Sequence, residues 1–120
     1  MILVVGHKNP DSDSICSALV ATELLRARGE DAMPIRQGEI NRETKHILEV
    51  AGAELPELRT SVAGEKIWLV DYSDLAQAPD DAAEAQILGI VDHHRLGDVM
   101  TVNPMEAWIW PVGCTNTVLF

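Results

Sequence analysis

The chain has 120 residues, of which 47% are hydrophobic and 23% are charged. This length suffices for one small domain with a hydrophobic core but not for two, so we treat residues 1–120 as one unit. Nine basic and nineteen acidic residues give a formal net charge of −10, which repels a phosphate backbone and argues against a nucleic-acid binder. No apolar run approaches the ~20 residues of a membrane span, and no signal peptide is recognisable, so we expect a cytoplasmic protein with no membrane partner.

Short apolar runs alternate with segments of helical spacing along the chain. In chain order, we predict strands at residues 2–5, 33–35, 67–70, 87–91 and 107–110, and helices at residues 14–28, 41–50 and, in part, 75–86. Gly29 and Gly52 follow the first two helices as typical stop residues, and Asn41 is a typical helix cap. Such alternation predicts an α/β fold, a parallel sheet with helices on both faces.

Polar side chains follow three of the predicted strands at the point where each strand ends. His7, Asp71 and Asp92 occupy these positions. Ligands of parallel sheets bind just beyond the carboxyl ends of the strands. We therefore expect a site at this edge, built from groups that bind metal ions.

The loop between the first strand and the first helix adds further candidates. Residues 6–14 read GHKNPDSDS, which places His7, Asp11 and Asp13 close together at the start of a helix. Helix capping by Asp13 or Ser14 would explain one carboxylate, but not two carboxylates and a histidine. The loop is therefore interpreted as a source of metal ligands, with its glycine permitting a sharp turn.

Imidazole nitrogens and carboxylates without paired thiolates suit Mn²⁺ or Co²⁺, with Mg²⁺ also possible, and argue against structural zinc. The ligands outnumber the needs of one ion with open positions. Two ions ~3.5–4 Å apart, as in many phosphatases, fit better. The alternative is that the strand-end residues are turn formers or helix caps. It would have to hold at three strand ends at once, which argues against it. By contrast, we interpret Asp74, Asp80 and Asp81 as solvated charges and His46 as a surface residue.

Three motifs resemble those of a known family. Residues 92–94 (DHH), with the upstream DSD loop, resemble the DHH phosphoesterase superfamily. Within it, residues 6–18 (GHKNPDSDSICSA), 92–97 (DHHRLG) and 112–117 (VGCTNT) are similar to the family II, manganese-dependent inorganic pyrophosphatases. The resemblance extends over essentially the whole chain.

One further motif departs from the family. Residues 71–74 read DYSD, where the family commonly has Asp-His-Asn-Glu. The aspartate at position 71 is retained, so the departure concerns residues around the ligand rather than the ligand itself.

The resemblance implies a role for each candidate residue. His7 and Asp11 would bind one Mn²⁺, Asp13 and His93 a second, and Asp71 both; His94 would contact the substrate as a possible acid, and Asp92 would orient the neighbouring histidine. A hydroxide between the two ions would then hydrolyse pyrophosphate to two phosphates. The resemblance also implies a homodimer, with residues 108–110 (WIW) hidden at a sheet edge.

The family has parts that this sequence lacks, namely a further bridging aspartate and a second domain whose basic residues clamp pyrophosphate. We therefore expect residues 1–120 to be the amino-terminal portion of the metal-binding catalytic domain, apparently truncated. We expect this portion to bind metal and to have little activity by itself.

Two alternatives remain open. The first is another DHH phosphoesterase that acts on oligonucleotides, cyclic dinucleotides or polyphosphate, although such relatives tend to have Asp-Gly-Asp in the first loop. The second is a non-catalytic metal-binding or dimerisation module.

Overall fold

A six-stranded sheet lies at the centre of the fold, which is known from a computed structural model that describes residues 1–92 and 105–109. The strands are β1 (Ile2–Val5), β2 (Ala32–Arg36), β3 (Glu57–Leu58), β4 (Lys66–Val70), β5 (Gln86–Asp92) and β6 (Glu106–Ile109). Their order is β3-β2-β1-β4-β5-β6, and every neighbouring pair is parallel. The predicted α/β fold with a parallel sheet is confirmed.

Two α-helices connect the consecutive strands β1, β2 and β3. They are α1 (Ser12–Ala27) and α2 (Arg42–Ala51). The first begins two residues before the predicted start, because the Asp11 side chain accepts a hydrogen bond from the Ser14 N–H and so caps the helix. As predicted, Asn41 caps α2, and Gly52 ends it in the left-handed region with φ 68°.

Hydrophobic clusters cover both faces of the sheet. On one face α1 packs against the strands; the members of this cluster are Ile2, Val4, Ala18, Ala21, Leu25, Ala32, Trp68, Val70 and Val91. The other cluster comprises Leu3, Val5, Ile35, Val62, Ile67, Leu69, Tyr72, Ala78, Ala82, Ile87 and Ile90. The residues of β1 alternate between the two clusters, so this strand is buried on both faces, as its continuous apolar run predicts.

The segment predicted to be partly helical at residues 75–86 forms two 3-10 turns, Leu75–Gln77 and Ala82–Glu84. Pro79 lies between them and has no N–H with which to continue a helix. These turns, rather than an α-helix, cover the second face within the described part of the chain. The two-residue β3 was not predicted, because both of its residues are exposed and carry no apolar run.

The direction in which successive strands are added to the sheet reverses between β1 and β4, although all strands remain parallel. From β1 the chain proceeds through β2 to β3 at one edge, and from β4 it proceeds through β5 to β6 at the other. Such a switch point opens a crevice at the carboxyl ends of the two central strands. Among the described residues, no helix is both long and apolar enough to cross a membrane.

Candidate metal centre

Two central strands bring three of the predicted ligands together. His7 lies two positions after β1, Asp11 caps α1, and Asp71 directly follows β4. Each offers a ligand atom within 4.8 Å of the other two. His7 Nε2 lies 3.1 Å from Asp71 Oδ2 and 3.6 Å from Asp11 Oδ1. The predicted convergence at the carboxyl edge therefore holds for His7, Asp11 and Asp71.

The imidazole ring of His7 is held in one orientation. Its Nδ1 lies 2.7 Å from the carbonyl oxygen of Lys8, which can only accept a hydrogen bond, so Nδ1 carries a proton. The Nε2 atom is left to face the two carboxylates. Metal-binding histidines typically donate their other nitrogen in this way, which fixes the tautomer.

Electrostatics make this cluster attractive to a cation. The hydrogen bond from His7 to Asp71 is the main cause that raises the pKa of His7 from 6.5 to about 9, against a lowering by burial. The Lys8 carbonyl and the charges of Asp71 and Asp11 add to the rise. A proton on Nε2 thus occupies the place between nitrogen and carboxylates that a divalent ion would take. The donor set of one imidazole and two carboxylates fits Mn²⁺.

Asp71 is held rigidly at the end of β4. It is 2% exposed and has a φ of 67°, a left-handed conformation that aspartate tolerates better than most residues. Its N–H donates to the carbonyl of Val91 at 2.8 Å. The next residue, Tyr72, is buried in the hydrophobic core. Burying a carboxylate is costly unless charges or donors compensate, and the His7 imidazole 3.1 Å away is one such partner.

Ser14 forms hydrogen bonds with the other two candidate ligands, His7 and Asp11. This fully buried residue donates its N–H to Asp11 Oδ1 at 2.8 Å, and its hydroxyl accepts the His7 N–H at 3.2 Å. A Cβ atom on Gly6 would lie 1.8 Å from Ser14 Oγ. Gly6 is not among the glycines with positive φ. Its place in the motif is therefore explained by close approach to Ser14, and not by the turn conformation that we expected.

Two further predicted site residues that the structure describes, Asp13 and Asp92, are not in this cluster. Asp13 lies in the first turn of α1, where its Oδ1 accepts a hydrogen bond from the buried Ser17 hydroxyl at 3.1 Å. Asp92 ends β5 and is fully buried. The predicted roles of His93 and His94 fall outside the described residues, so the pairing of Asp13 with His93 stays a prediction.

The acidic residues interpreted as solvated charges also lie away from the cluster. Asp74 caps a 3-10 turn, Asp80 pairs with Lys8 at 2.6 Å, and Asp81 accepts three hydrogen bonds from residues 61–63. His46 is exposed on α2, as expected.

Sequence patterns do not indicate the contacts that surround the loop of residues 6–14, which we call the ligand loop. Ser12, between two predicted ligands, donates to Glu43 at 2.8 Å and lies 2.9 Å from the Thr44 hydroxyl, which ties α1 to α2. Gln37, at the end of β2, contacts Gly6. These residues have no periodicity or spacing that could indicate them, because their partners lie far away in the sequence.

Comparison with known proteins gives a consistent result. A model of the DHH family, N-terminal domain, matches residues 1–120. A protein of Archaeoglobus fulgidus named "Probable manganese-dependent inorganic pyrophosphatase" is 44% identical over 131 aligned residues, which cover 99% of this chain and 41% of the relative. A protein of Bacillus licheniformis with the same name is 44% identical, covering 98% of this chain and 39% of the relative.

A solved structure of a candidate family II inorganic pyrophosphatase from Methanococcus jannaschii is 44% identical, with a TM-score of 0.91. The similarity covers 99% of this chain and 37% of that one. The chain therefore spans about two-fifths of the length of these relatives. Since the family match extends over all 120 residues, the chain belongs to the DHH family.

Proposed function

We propose that the protein containing this chain hydrolyses inorganic pyrophosphate with manganese. The observation that carries the proposal is the cluster of His7, Asp11 and Asp71, with its ligand atoms within 4.8 Å of one another at the switch point of the sheet. The names of the two relatives, both manganese-dependent inorganic pyrophosphatases, supply the substrate and the metal.

We assign the metal ligands in two groups. His7 and Asp11 would hold one Mn²⁺, Asp13 and His93 would hold the second, and Asp71 would be shared; Co²⁺ or Mg²⁺ are possible substitutes. When bound, such ions supply a water of lowered pKa and neutralise phosphoryl charge. The structural support is for the first group, whose nitrogen and carboxylates already converge.

The protein's own groups then position the reactants. The Lys8 carbonyl holds the His7 ring so that Nε2 points at the site. His94 would contact pyrophosphate and donate a proton to the leaving phosphate. Asp92, buried at the end of β5, would orient the following histidine.

We place the substrate-clamping groups outside residues 1–120 and regard this chain as the metal-binding portion. A net charge of −10 repels pyrophosphate unless cations compensate. The same charge disfavours nucleic acid as a partner. The free thiol of Cys16 is consistent with the cytoplasmic location that we propose.

We also propose a homodimer that forms along β6. This strand is last in the sheet order, so it has a strand neighbour on one side only among the described residues. Trp108 lies on it and is 40% exposed. Exposed edge strands with large apolar side chains favour pairing with another chain.

The substrate assignment is tested by comparing substrates with the full-length protein and Mn²⁺. We expect pyrophosphate to be hydrolysed far faster than linear dinucleotides, longer polyphosphate or p-nitrophenyl phosphate. A preference for a nucleotide would assign the protein to the other DHH phosphoesterases. In parallel, the 120-residue chain should bind Mn²⁺ in calorimetry but show little turnover, and turnover equal to that of the full-length protein would contradict our placement of the clamping groups.

A further inference from the structure

A glutamine side chain joins the two loops that carry the candidate ligands. Gln37 directly follows β2, and its Nε2 donates to the carbonyl of Gly6 at 2.7 Å and to the carbonyl of Gln77 at 2.9 Å. Both acceptors are backbone carbonyls, so only the amide nitrogen can make these contacts, and both of its hydrogens are used. The side chain is half-buried.

The two carbonyls belong to loops that leave different strands. Gly6 directly precedes His7 in the loop after β1, and Gln77 lies in the segment that follows Asp71 after β4. The loops also meet directly, since the Lys8 N–H donates to the same Gln77 carbonyl at 3.0 Å. The Gln77 carbonyl therefore accepts two hydrogen bonds, one from each neighbouring segment.

Apart from the contact of His7 with Asp71, an ion pair also joins these loops. Lys8 Nζ lies 2.6 Å from Asp80 Oδ1, but the Asp80 side chain is 92% exposed and the Lys8 side chain 41%. Exposed ion pairs typically contribute little to stability and are screened by salt. The Gln37 amide is the better candidate for fixing the position of the two loops, because its hydrogen bond to the Gly6 carbonyl is partly buried and neutral.

We propose that Gln37 is a positioning residue for the metal centre. By bridging Gly6 to Gln77, it sets the distance between His7 and Asp71, which must approach one cation together. The inference rests on the proposed function, because it assumes that His7 and Asp71 bind a divalent ion. Metal–ligand bonds tolerate errors of only ~0.2 Å, so a small loop shift weakens binding.

The test uses an uncharged replacement of similar length with a matched control. Gln37→Met removes both donors without adding charge near the cation. Gln77→Met makes the same substitution at an exposed side chain whose backbone carbonyl, not its amide, forms the contacts. Mn²⁺ titrated into the 120-residue chain should bind Gln37→Met about tenfold more weakly than the wild type, as for other residues that support metal ligands, and Gln77→Met unchanged.

A second readout separates positioning from general loss of stability. The electron paramagnetic resonance spectrum of Mn²⁺ at saturating protein reports the symmetry of its ligands, and we expect it to change in Gln37→Met only. Equal affinity and an identical spectrum in Gln37→Met and Gln77→Met would overturn the inference.

If Gln37→Met does not fold, a second pair of variants replaces it. Gln37→Asn, which keeps an amide one methylene shorter, should bind Mn²⁺ more weakly than Gln77→Asn. Equal binding by that pair would overturn the inference as well. Failure of the wild-type chain to bind Mn²⁺ would contradict the proposed function itself.

Discussion

His7 Nε2 and Asp71 Oδ2 lie 3.1 Å apart, although 64 positions separate the two residues in the chain. The contact exists because β1 and β4 are neighbours and parallel, so that the loops after both strands begin at the same edge of the sheet. This contact links the protonation state of His7 to the candidate metal centre.

Stability of the metal-free protein should depend on the protonation of His7. Its pKa is raised from 6.5 to about 9 in the folded state. A raised folded-state pKa means that the stabilisation is fully present below pH 6.5 and is lost as pH rises through about 9. Urea unfolding across this range should show a decreasing free energy of unfolding for the wild type.

Two histidine variants control this pH experiment. His7→Gln should remove most of the decrease, whereas His46→Gln, at an exposed position on α2, should retain it. Mn²⁺ binding near neutral pH should also release a proton, since the ion replaces the one on Nε2. An unchanged pH dependence in His7→Gln would show that another group is responsible.

Asp71 should be the ligand whose loss weakens metal binding most. Asp71→Asn retains the shape and tolerates the left-handed φ of 67° while removing the charge. We expect Mn²⁺ affinity to fall on the order of 100-fold or more, beyond the effect typical of residues that only support ligands. Asp74→Asn, at an exposed helix cap that asparagine can also form, is the control and should bind normally.

Alanine at Gly6 should destabilise the ligand loop. The added Cβ would lie 1.8 Å from Ser14 Oγ, and moving that hydroxyl away would break its hydrogen bond with the His7 N–H. We expect a loss of about 1–3 kcal/mol in the free energy of unfolding. At Gly38 the new Cβ would meet Pro10 at an ordinary 3.5 Å, and Gly38→Ala should therefore change stability much less.

Removal of the Tyr72 hydroxyl should stabilise the protein. This side chain is 3% exposed, burial raises its pKa far above the ordinary value, and its hydroxyl has no hydrogen-bond partner among the described residues. A buried hydroxyl without a partner is costly, so Tyr72→Phe should raise the free energy of unfolding by about 1 kcal/mol. Destabilisation in urea titrations would indicate that the hydroxyl is hydrogen-bonded after all.

The proposed dimer is tested at its edge strand. Lysine on an edge strand opposes pairing with another chain, so Trp108→Lys should shift the protein towards monomer in sedimentation experiments. Val50→Lys makes the same kind of change on α2, at a side chain that is 75% exposed, and should leave the assembly unchanged. A wild-type protein that is monomeric at high concentration would contradict the proposal directly.

Local patterns allowed most of the fold to be predicted from the sequence. The apolar run of β1, the Asn41 cap and the Gly52 stop of α2 each act within a few neighbouring residues, so the sequence shows them directly. Topology rules extended this to the site, because alternating elements imply a parallel sheet whose strand ends meet at one edge. That reasoning sufficed to place His7 beside Asp71.

Local patterns were less informative where burial is partial. A cysteine without a nearby second cysteine in the sequence is predicted to be reduced and buried, yet Cys16 is only half-buried. It is one position away from Ile15, whose side of α1 faces the core, and a single step on a helix turns a side chain by about 100°. The same expectation for Cys114 falls outside the described residues.

Tertiary structure alone decided how the site is held. The Gln37 amide bridges two carbonyls 31 and 40 positions away, and Ser14 Oγ leaves no space for a side chain at Gly6. Such contacts depend on distances between segments that are remote in the chain, and no periodicity or capping rule encodes them. Amino-acid types therefore indicated the chemistry of the candidate centre, while packing between loops determined which atoms face one another there.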